Sequence, residues 1–133
     1  MLATVLLWIN GLGFIGLGLV NMLAPEAMAA VIGYEFANGN GYADFVATYG
    51  GVFAALGVPG LLGARAQSWR LSGLMLYGLL YLGLATGRAV GLTMTDGVIT
   101  AYSWGAWGFE LLSVLLIYLA LTSERRAAES AAH

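Results

Sequence analysis

Residues 100–122 have the sequence TAYSWGAWGFELLSVLLIYLALT, and this run decides the fold class. It is mostly apolar and holds a single charged residue, Glu110, near its middle. A helix that crosses a bilayer needs ~20 predominantly apolar residues. A run of this length without strand-like alternation predicts a helix, because lipid offers no hydrogen-bond partners to an open backbone. We therefore expect a membrane-spanning helix that carries a charge in its interior.

Three further apolar runs have a similar length. They are Leu2–Leu23, Asp44–Leu62 and Leu71–Leu92. Together with residues 100–122 they predict an all-α fold, an integral membrane four-helix bundle. Pro59 interrupts the second run, so we expect a kink or an early helix end there. We assign residues 1–123 to a single four-helix transmembrane domain and residues 124–133 to a cytoplasmic tail.

The composition supports a lipid-embedded protein. Of the 133 residues, 60% are hydrophobic and 9% are charged, whereas soluble domains average about 25% charged residues. A small chain cannot bury so much apolar surface in its own core, so we expect the lipid bilayer as its partner. The net charge is −2 and no Lys is present, which argues against a nucleic-acid partner. Because Cys is absent and the sole His is His133, we expect no metal site and no cofactor.

The distribution of arginine predicts the orientation. Arg65 and Arg70 lie between the second and third runs, and Arg125 and Arg126 follow the fourth. Four crossings place both pairs on one side, and an excess of arginine marks the cytoplasmic side. We therefore expect both termini in the cytoplasm. The opposite loops carry acids, namely Glu26, Glu35, Asp44 and Asp96.

The first outer loop is long enough to hold a short helix. Pro25 and Glu26 suit its first turn, since that turn needs no proline amide proton and an acid favours the positive end of a helix. Residues 27–32 continue the pattern, and Gly33 is a candidate cap. We expect a short interfacial helix on the outer membrane surface, followed by a turn at residues 38–41.

Small residues recur at every fourth position on two of the predicted helices. Such faces let helix backbones approach closely in lipid, where packing replaces the hydrophobic effect. We expect them to pack against another helix, either of this chain or of a second one. Ala43, Ala47, Gly51 and Ala55 form the face on the second helix, and Gly83, Gly87 and Gly91 form the face on the third.

Each predicted helix also has one polar face, with spacings of three or four residues. Polar groups are costly in lipid, so we expect the four faces to converge inside the bundle. The faces are marked by Asn10 and Asn21, by Asp44 and Thr48, by Tyr77, Tyr81 and Arg88, and by Ser103, Trp107, Glu110 and Ser113.

Arg88 and Glu110 are the two charges deep inside the runs, and their depths favour a pair. Arg88 lies four residues from the outer end of its run, and Glu110 lies ten from the outer start of its own. At ~1.5 Å per residue the depths differ by ~9 Å, within reach of two extended side chains. If Arg88 instead extends towards the surface, Asn10 is the polar neighbour at the depth of Glu110. A buried pair either braces two helices or belongs to a site.

Several short motifs resemble those of a known family. They are Pro25 after the first helix, Asp44 ahead of Tyr49-Gly50-Gly51, Gly87-Arg88 with Gly91, Asp96-Gly97, and Glu110. They resemble a small bacterial membrane family catalogued as domain of unknown function 4345, and that family looks related to the DoxX-like membrane proteins. The resemblance implies a four-helix bundle in the bacterial inner membrane and gives no activity. Val46 stands where such proteins often carry an arginine, which leaves Arg88 as the only arginine of the cluster.

Three functions fit these residues. The first is binding of a small amphipathic or anionic ligand in an intramembrane polar cavity, with Arg88 as counter-ion. The second is a structural or accessory subunit of a larger membrane complex, or a homo-oligomer, with glycine faces turned towards partner helices. The third is a lipid-substrate isomerase or cyclase that uses Glu110 as acid or base. The candidate ligand-binding residues are Asn10, Asp44, Tyr49, Tyr77, Tyr81, Arg88, Trp107 and Glu110.

Overall fold

The computed structural model describes residues 1–131 and is all-helical there, without strands; His133 lies outside this range. The elements in chain order are α1 (Leu2–Leu23), α2 (Pro25–Val31), α3 (Gly39–Phe45), a π-helical segment (Val46–Val52), α4 (Phe53–Arg65), α5 (Gln67–Met94) and α6 (Ala101–Ala131). The segment from Gly39 to Arg65 is one continuous helix, here called the second span. With α1, α5 and α6 it gives the predicted four helices long and apolar enough to cross a membrane.

The four spans pack in sequence, and the ring that they form is incomplete. α1 packs along the second span, α4 packs against α5, and α5 packs along α6. In contrast, α1 and α6 touch only locally. The bundle is therefore open between its first and last spans.

Two contacts bring the arginine-bearing helix ends together. The guanidinium of Arg65 lies over the Trp8 ring, 5.3 Å from its centroid. Arg70 forms an ion pair with Glu124 at 3.7 Å. The start of α1, the end of α4, the start of α5 and the charged part of α6 thus meet at one end. Successive spans run in opposite directions, as the predicted topology requires.

Close packing between α1 and the second span depends on glycines. A Cβ added to Gly18 would meet the backbone nitrogen of Ala54, and one added to Gly11 would lie 2.9 Å from the backbone nitrogen of Leu61. Backbone atoms cannot move aside without moving the helix. These glycines therefore set the distance between the two helices.

The predicted glycine faces are not the ones that pack within this chain. α5 turns Tyr81 and Ala85 inwards. A position two residues further on lies ~200° around the helix, so the α5 repeat points outwards. Packing of that repeat against a second chain stays a prediction. Apart from adjacent residues and the backbone of the same helix, no atom of the described residues lies within 4 Å of a Cβ built at Gly51, Gly83, Gly87 or Gly91.

The predicted short helix in the first loop is present as α2, with the predicted glycine at its end. Gly33 has a positive φ of 81°, which glycine adopts without strain. The Gly33 amide donates to the Ala30 carbonyl at 3.1 Å, and the Tyr34 amide donates to the Ala29 carbonyl at 2.8 Å. These two bonds make a Schellman cap, which ends α2 and fixes the position of Tyr34.

The second span begins at Gly39 rather than at Asp44, so the predicted turn at residues 38–41 is wrong. Asn38 caps the helix, because its Oδ1 accepts from the amides of Asn40 at 3.0 Å and Gly41 at 3.2 Å. An asparagine cap satisfies two amides that would otherwise lack partners, and this outweighs the low helix propensity of the glycines.

Pro59 does not end the second span, contrary to one of the expected outcomes. α4 contains Pro59 and continues to Arg65. Proline removes one backbone donor, and the Tyr77 hydroxyl supplies a donor to the same turn by bonding to the Leu56 carbonyl at 2.8 Å. The irregular part of this span is instead the π-helical segment Val46–Val52.

The third and fourth spans extend beyond their predicted apolar runs. α5 begins at Gln67 and ends at Met94. α6 continues to Ala131 and so includes most of the segment predicted as a tail. Residues 124–131 are rich in Ala, Glu and Arg, which favour helix and give no stop signal.

Candidate ligand-binding site

A cavity of about 750 Å³ occupies the gap between α1 and α6. These two helices form most of its wall, and α5 and the second span close its back. Ligand pockets typically measure ~300–1,000 Å³, so the volume suits a small organic molecule. The lining residues that carry polar groups are Asn10, Asn21, Tyr34, Tyr49, Tyr81, Arg88, Tyr102, Ser103, Glu110 and Ser113.

The predicted pair of Arg88 and Glu110 is present at this cavity. Arg88 donates from Nε to both carboxylate oxygens of Glu110, at 3.0 and 3.1 Å, and from Nη2 to Oε1 at 2.7 Å. The Glu110 side chain is 5% exposed and the Arg88 side chain is 27% exposed. A forked pair of this kind is directional as well as charge-neutral, so it fixes both side chains.

A second polar contact joins α1 to α5 at the cavity wall. The buried Tyr81 hydroxyl donates to Oδ1 of Asn10 at 2.6 Å. The Asn10 amide nitrogen donates to the Leu6 carbonyl of its own helix at 2.8 Å. Asn10 is therefore bonded through both ends of its amide, and no hydrogen bond joins it to Glu110 among the described residues.

Asn21 differs from Asn10 in the use of its amide. Its nitrogen donates to the Leu17 carbonyl at 2.7 Å, and the side chain is buried at the cavity wall. Among the described residues no donor reaches its Oδ1. An acceptor is thus available at the end of the cavity near the first loop.

The rest of the wall is apolar, and part of it is also bundle surface. Ile9 and Phe109 line the cavity from α1 and α6 and are 62% and 58% exposed. Leu17, also on the wall, is 48% exposed. Since these residues face the gap between the first and last spans, the cavity opens sideways out of the bundle.

Two predicted wall residues lie outside the cavity. Tyr77 is fully buried behind it and stacks on Phe14 with 5.6 Å between ring centroids. Trp107 donates from its indole nitrogen to the Ala85 carbonyl at 3.1 Å, which joins α6 to α5. Both residues support the wall from behind instead of forming it.

The predicted polar face of the second span does not reach the main cavity either. Asp44 and Thr48 line a separate pocket of about 500 Å³ near the first loop, here called the outer pocket. Tyr49 and Phe53 line the main cavity instead. A π-helical turn adds a residue to each turn and rotates the following helix, which explains the change of face.

Tyr34 is a site residue that sequence reasoning missed. It lines both pockets, and its hydroxyl lies 3.1 Å from the hydroxyl of Tyr49, which also lines both. The two tyrosines therefore form a shared wall. Tyr34 lies in a loop without periodicity, and the Gly33 cap is the only local signal for its position. Phe53 could have been found, because it follows Tyr49 by one helical turn.

A family model described as a domain of unknown function (DUF4345) matches residues 2–121, a range that reaches all four spans. No curated protein and no solved structure matches the chain. Within residues 1–131, no group of three His, Asp or Glu side chains is placed to hold a metal ion. The activity must therefore be inferred from the cavity itself.

Proposed function

Because the chain belongs to this family of unknown function, we propose from its cavity that it is a multi-pass membrane protein that binds a small amphipathic ligand. The proposal includes a bacterial inner membrane as the location, cytoplasmic termini and kinship with the DoxX-like proteins, as the motifs and the arginine distribution suggest. The observation that carries it is the sideways-opening cavity, polar at its inner wall and apolar at its mouth.

The polar groups favour a head group without net charge. Glu110 already balances the charge of Arg88, so a bound anion would meet no net positive charge and would be repelled by the Glu110 carboxylate. A hydroxyl or carbonyl group faces no such repulsion. Either group would accept from the Arg88 nitrogen Nη1, to which no described residue is bonded, and a hydroxyl could instead donate to Oδ1 of Asn21. An amphipathic ligand is thus favoured over a simple anion.

The apolar mouth favours a ligand that arrives from the bilayer. Ile9, Leu17 and Phe109 are exposed at the gap between α1 and α6, where lipid tails would lie. A molecule with one polar group could enter sideways with its tail against these side chains and its head towards Arg88. The tail would move from lipid to an equally apolar wall, so this transfer would contribute little to the free energy of binding. The polar contacts of the head group would therefore provide most of the specificity.

Gly13 allows the cavity to be filled without disturbing helix packing. It lines the cavity, and a Cβ built on it meets no described residue within 4 Å other than its neighbours in the same helix. Gly16, on the same helix, has equally open space but does not line the cavity. Gly13→Phe places a ring inside the cavity, and Gly16→Phe is the matched control with the ring outside it.

The measurement is mass spectrometry of the small molecules that co-purify with each protein in a mild detergent. We expect the wild-type protein and Gly16→Phe to carry the same amphipathic molecule and Gly13→Phe to lose most of it. Equal retention in the two variants would contradict binding in this cavity. A wild-type protein that carries no such molecule after extraction from its native membrane would also contradict it.

A second candidate is an accessory subunit or homo-oligomer. The favouring observation is the outward, unfilled glycine face of α5 at Gly83, Gly87 and Gly91. Co-purification of a stoichiometric partner, lost in Gly87→Leu, would support it.

The enzyme hypothesis needs a second acidic or basic group beside Glu110. The cavity offers no second carboxylate, since Glu110 is the only one among the described residues that line it.

A further inference from the structure

The outer pocket lies at the end of the bundle opposite the arginine-bearing helix ends. Its volume is about 500 Å³. We propose that this pocket binds an organic ammonium group, held by aromatic rings and two carboxylates. The site is distinct from the main cavity and does not depend on the function proposed for it. The outer pocket is lined by Gly33, Tyr34, Glu35, Phe36, Gly41, Asp44, Phe45, Thr48 and Tyr49.

Four aromatic rings form a connected wall of the outer pocket. Phe45 stacks on Tyr49 with 4.7 Å between centroids. Tyr34 meets Tyr49 edge-on at 5.9 Å, and Phe36 meets Phe45 edge-on at 5.3 Å. Each ring is supported by another, so the wall is formed before a ligand arrives. Ring faces attract cations, and groups of aromatic rings are a recurrent way to bind ammonium ligands.

The outer pocket also carries uncompensated negative charge. Glu35 and Asp44 are exposed, and neither takes part in an ion pair among the described residues. Arg88 is the only arginine in this half of the bundle, and Glu110 already holds it. Two free carboxylates beside aromatic rings attract a cation and repel an anion.

The chemistry of the pocket favours an organic cation over a metal ion. Calcium requires six to eight oxygen ligands, and magnesium requires an octahedral set. The outer pocket offers two carboxylates, and no third acid joins them among the described residues. The Tyr34 and Tyr49 hydroxyls are bonded to each other. Methyl or methylene groups around a charged nitrogen would instead fit against the rings.

Choline tests this inference, with 3,3-dimethylbutan-1-ol as a probe of the same shape and no charge. Binding is measured by saturation-transfer NMR on the full chain in an uncharged maltoside detergent. The Glu35→Gln/Asp44→Asn double variant removes the charge and keeps the shape, and Phe36→Leu removes one ring. Glu26→Gln is the control, because Glu26 is an exposed acid on α2 that does not line the outer pocket.

We expect choline to bind about tenfold more tightly than the uncharged probe, and the double variant and Phe36→Leu each to lose most of that preference. Glu26→Gln should keep it, and so should Gly13→Phe, which fills only the main cavity. Equal binding of both probes to the wild-type protein would overturn the inference. Unchanged choline binding in the double variant would also overturn it.

Binding of choline to the protein in lipid nanodiscs distinguishes two sources of the ammonium group, a lipid head group and a free amine. Phosphatidylethanolamine has an ammonium head group, and phosphatidylglycerol does not. Weaker choline binding in discs that contain phosphatidylethanolamine supports a lipid head group as occupant of the pocket. Equal choline binding in both kinds of disc supports a free amine from the aqueous phase.

Discussion

Arg88 and Glu110 form a fork of three hydrogen bonds that joins α5 to α6 at the inner wall of the cavity. The same contact is both a brace and the most polar part of the candidate site. Trp107 and Ala85 make a second contact between these helices nearby. Two polar contacts therefore fix the register of α5 against α6. If the charged pair is removed, the contact between Trp107 and Ala85 remains.

The first prediction is that Arg88 and Glu110 are energetically coupled. Arg88→Met or Glu110→Gln alone leaves a buried partner unpaired, which typically costs about 3–5 kcal/mol. The double variant should cost less than the sum of the two single variants. The measurement is a double-mutant cycle on unfolding in detergent or lipid. Additive costs would contradict the pair as a coupled unit.

The same cycle separates a brace from a site. If the pair acts only as a brace, every stable variant should keep the ligand bound in the cavity. If the pair also recognises the head group, the double variant should fold and yet carry less ligand. If a stable double variant carries as much ligand as the wild-type protein, the pair has a structural role only.

The second prediction concerns the contact between Tyr81 and Asn10. Among the described residues Tyr81 is the only donor to Oδ1 of the buried Asn10. Tyr81→Phe removes it, and an unsatisfied buried polar group costs about 1–3 kcal/mol. Tyr118→Phe is the control, because Tyr118 is 62% exposed on the outer side of α6. Thermal unfolding should show a lower midpoint for Tyr81→Phe only. Equal midpoints would mean that another group replaces the lost donor.

The spans and the charged pair could be predicted from the sequence because the rules behind them are local. Lipid requires ~20 apolar residues per helix, and a fixed helical rise converts sequence position into depth. Arg88 and Glu110 are the only charges at such depth, so few pairings were possible. The cap at Gly33 also depends only on local backbone geometry.

The outer part of the site could not be predicted, because it depends on departures from regular helix. The π-helical segment Val46–Val52 changes which face of the second span turns inwards, so Tyr49 and Phe53 replace Asp44 and Thr48 at the cavity. A repeat of small residues predicts close packing but not which helix lies against it. The close contact in this chain is made by glycines of α1, and their spacing is less regular than that of the α5 repeat.

The third prediction distinguishes the two kinds of glycine. Gly18→Ala drives a methyl group into the backbone of the second span, and overpacking of this kind costs about 1–3 kcal/mol. Gly16→Ala and Gly87→Leu meet open space and replace glycine by a better helix former, so neither should lower the unfolding midpoint of the monomer. The measurement is thermal unfolding together with light scattering. A destabilised monomer in Gly87→Leu would contradict the outward direction of the α5 repeat.

The fourth prediction is the topology, with both termini in the cytoplasm. The arginine pairs meet at one end of the bundle, and an excess of arginine marks the cytoplasmic side. Cysteine is placed at Ala37 and, separately, at Ser68; Ala37 is exposed and precedes the Asn38 cap, which stays intact. The chain has no other cysteine. An impermeant maleimide applied to intact spheroplasts should label Ala37→Cys, and it should label Ser68→Cys only after the membrane is opened.

Labelling of Ser68→Cys alone in intact spheroplasts would reverse the orientation. It would also place the outer pocket in the cytoplasm, where it would meet cytoplasmic amines instead of those outside the membrane.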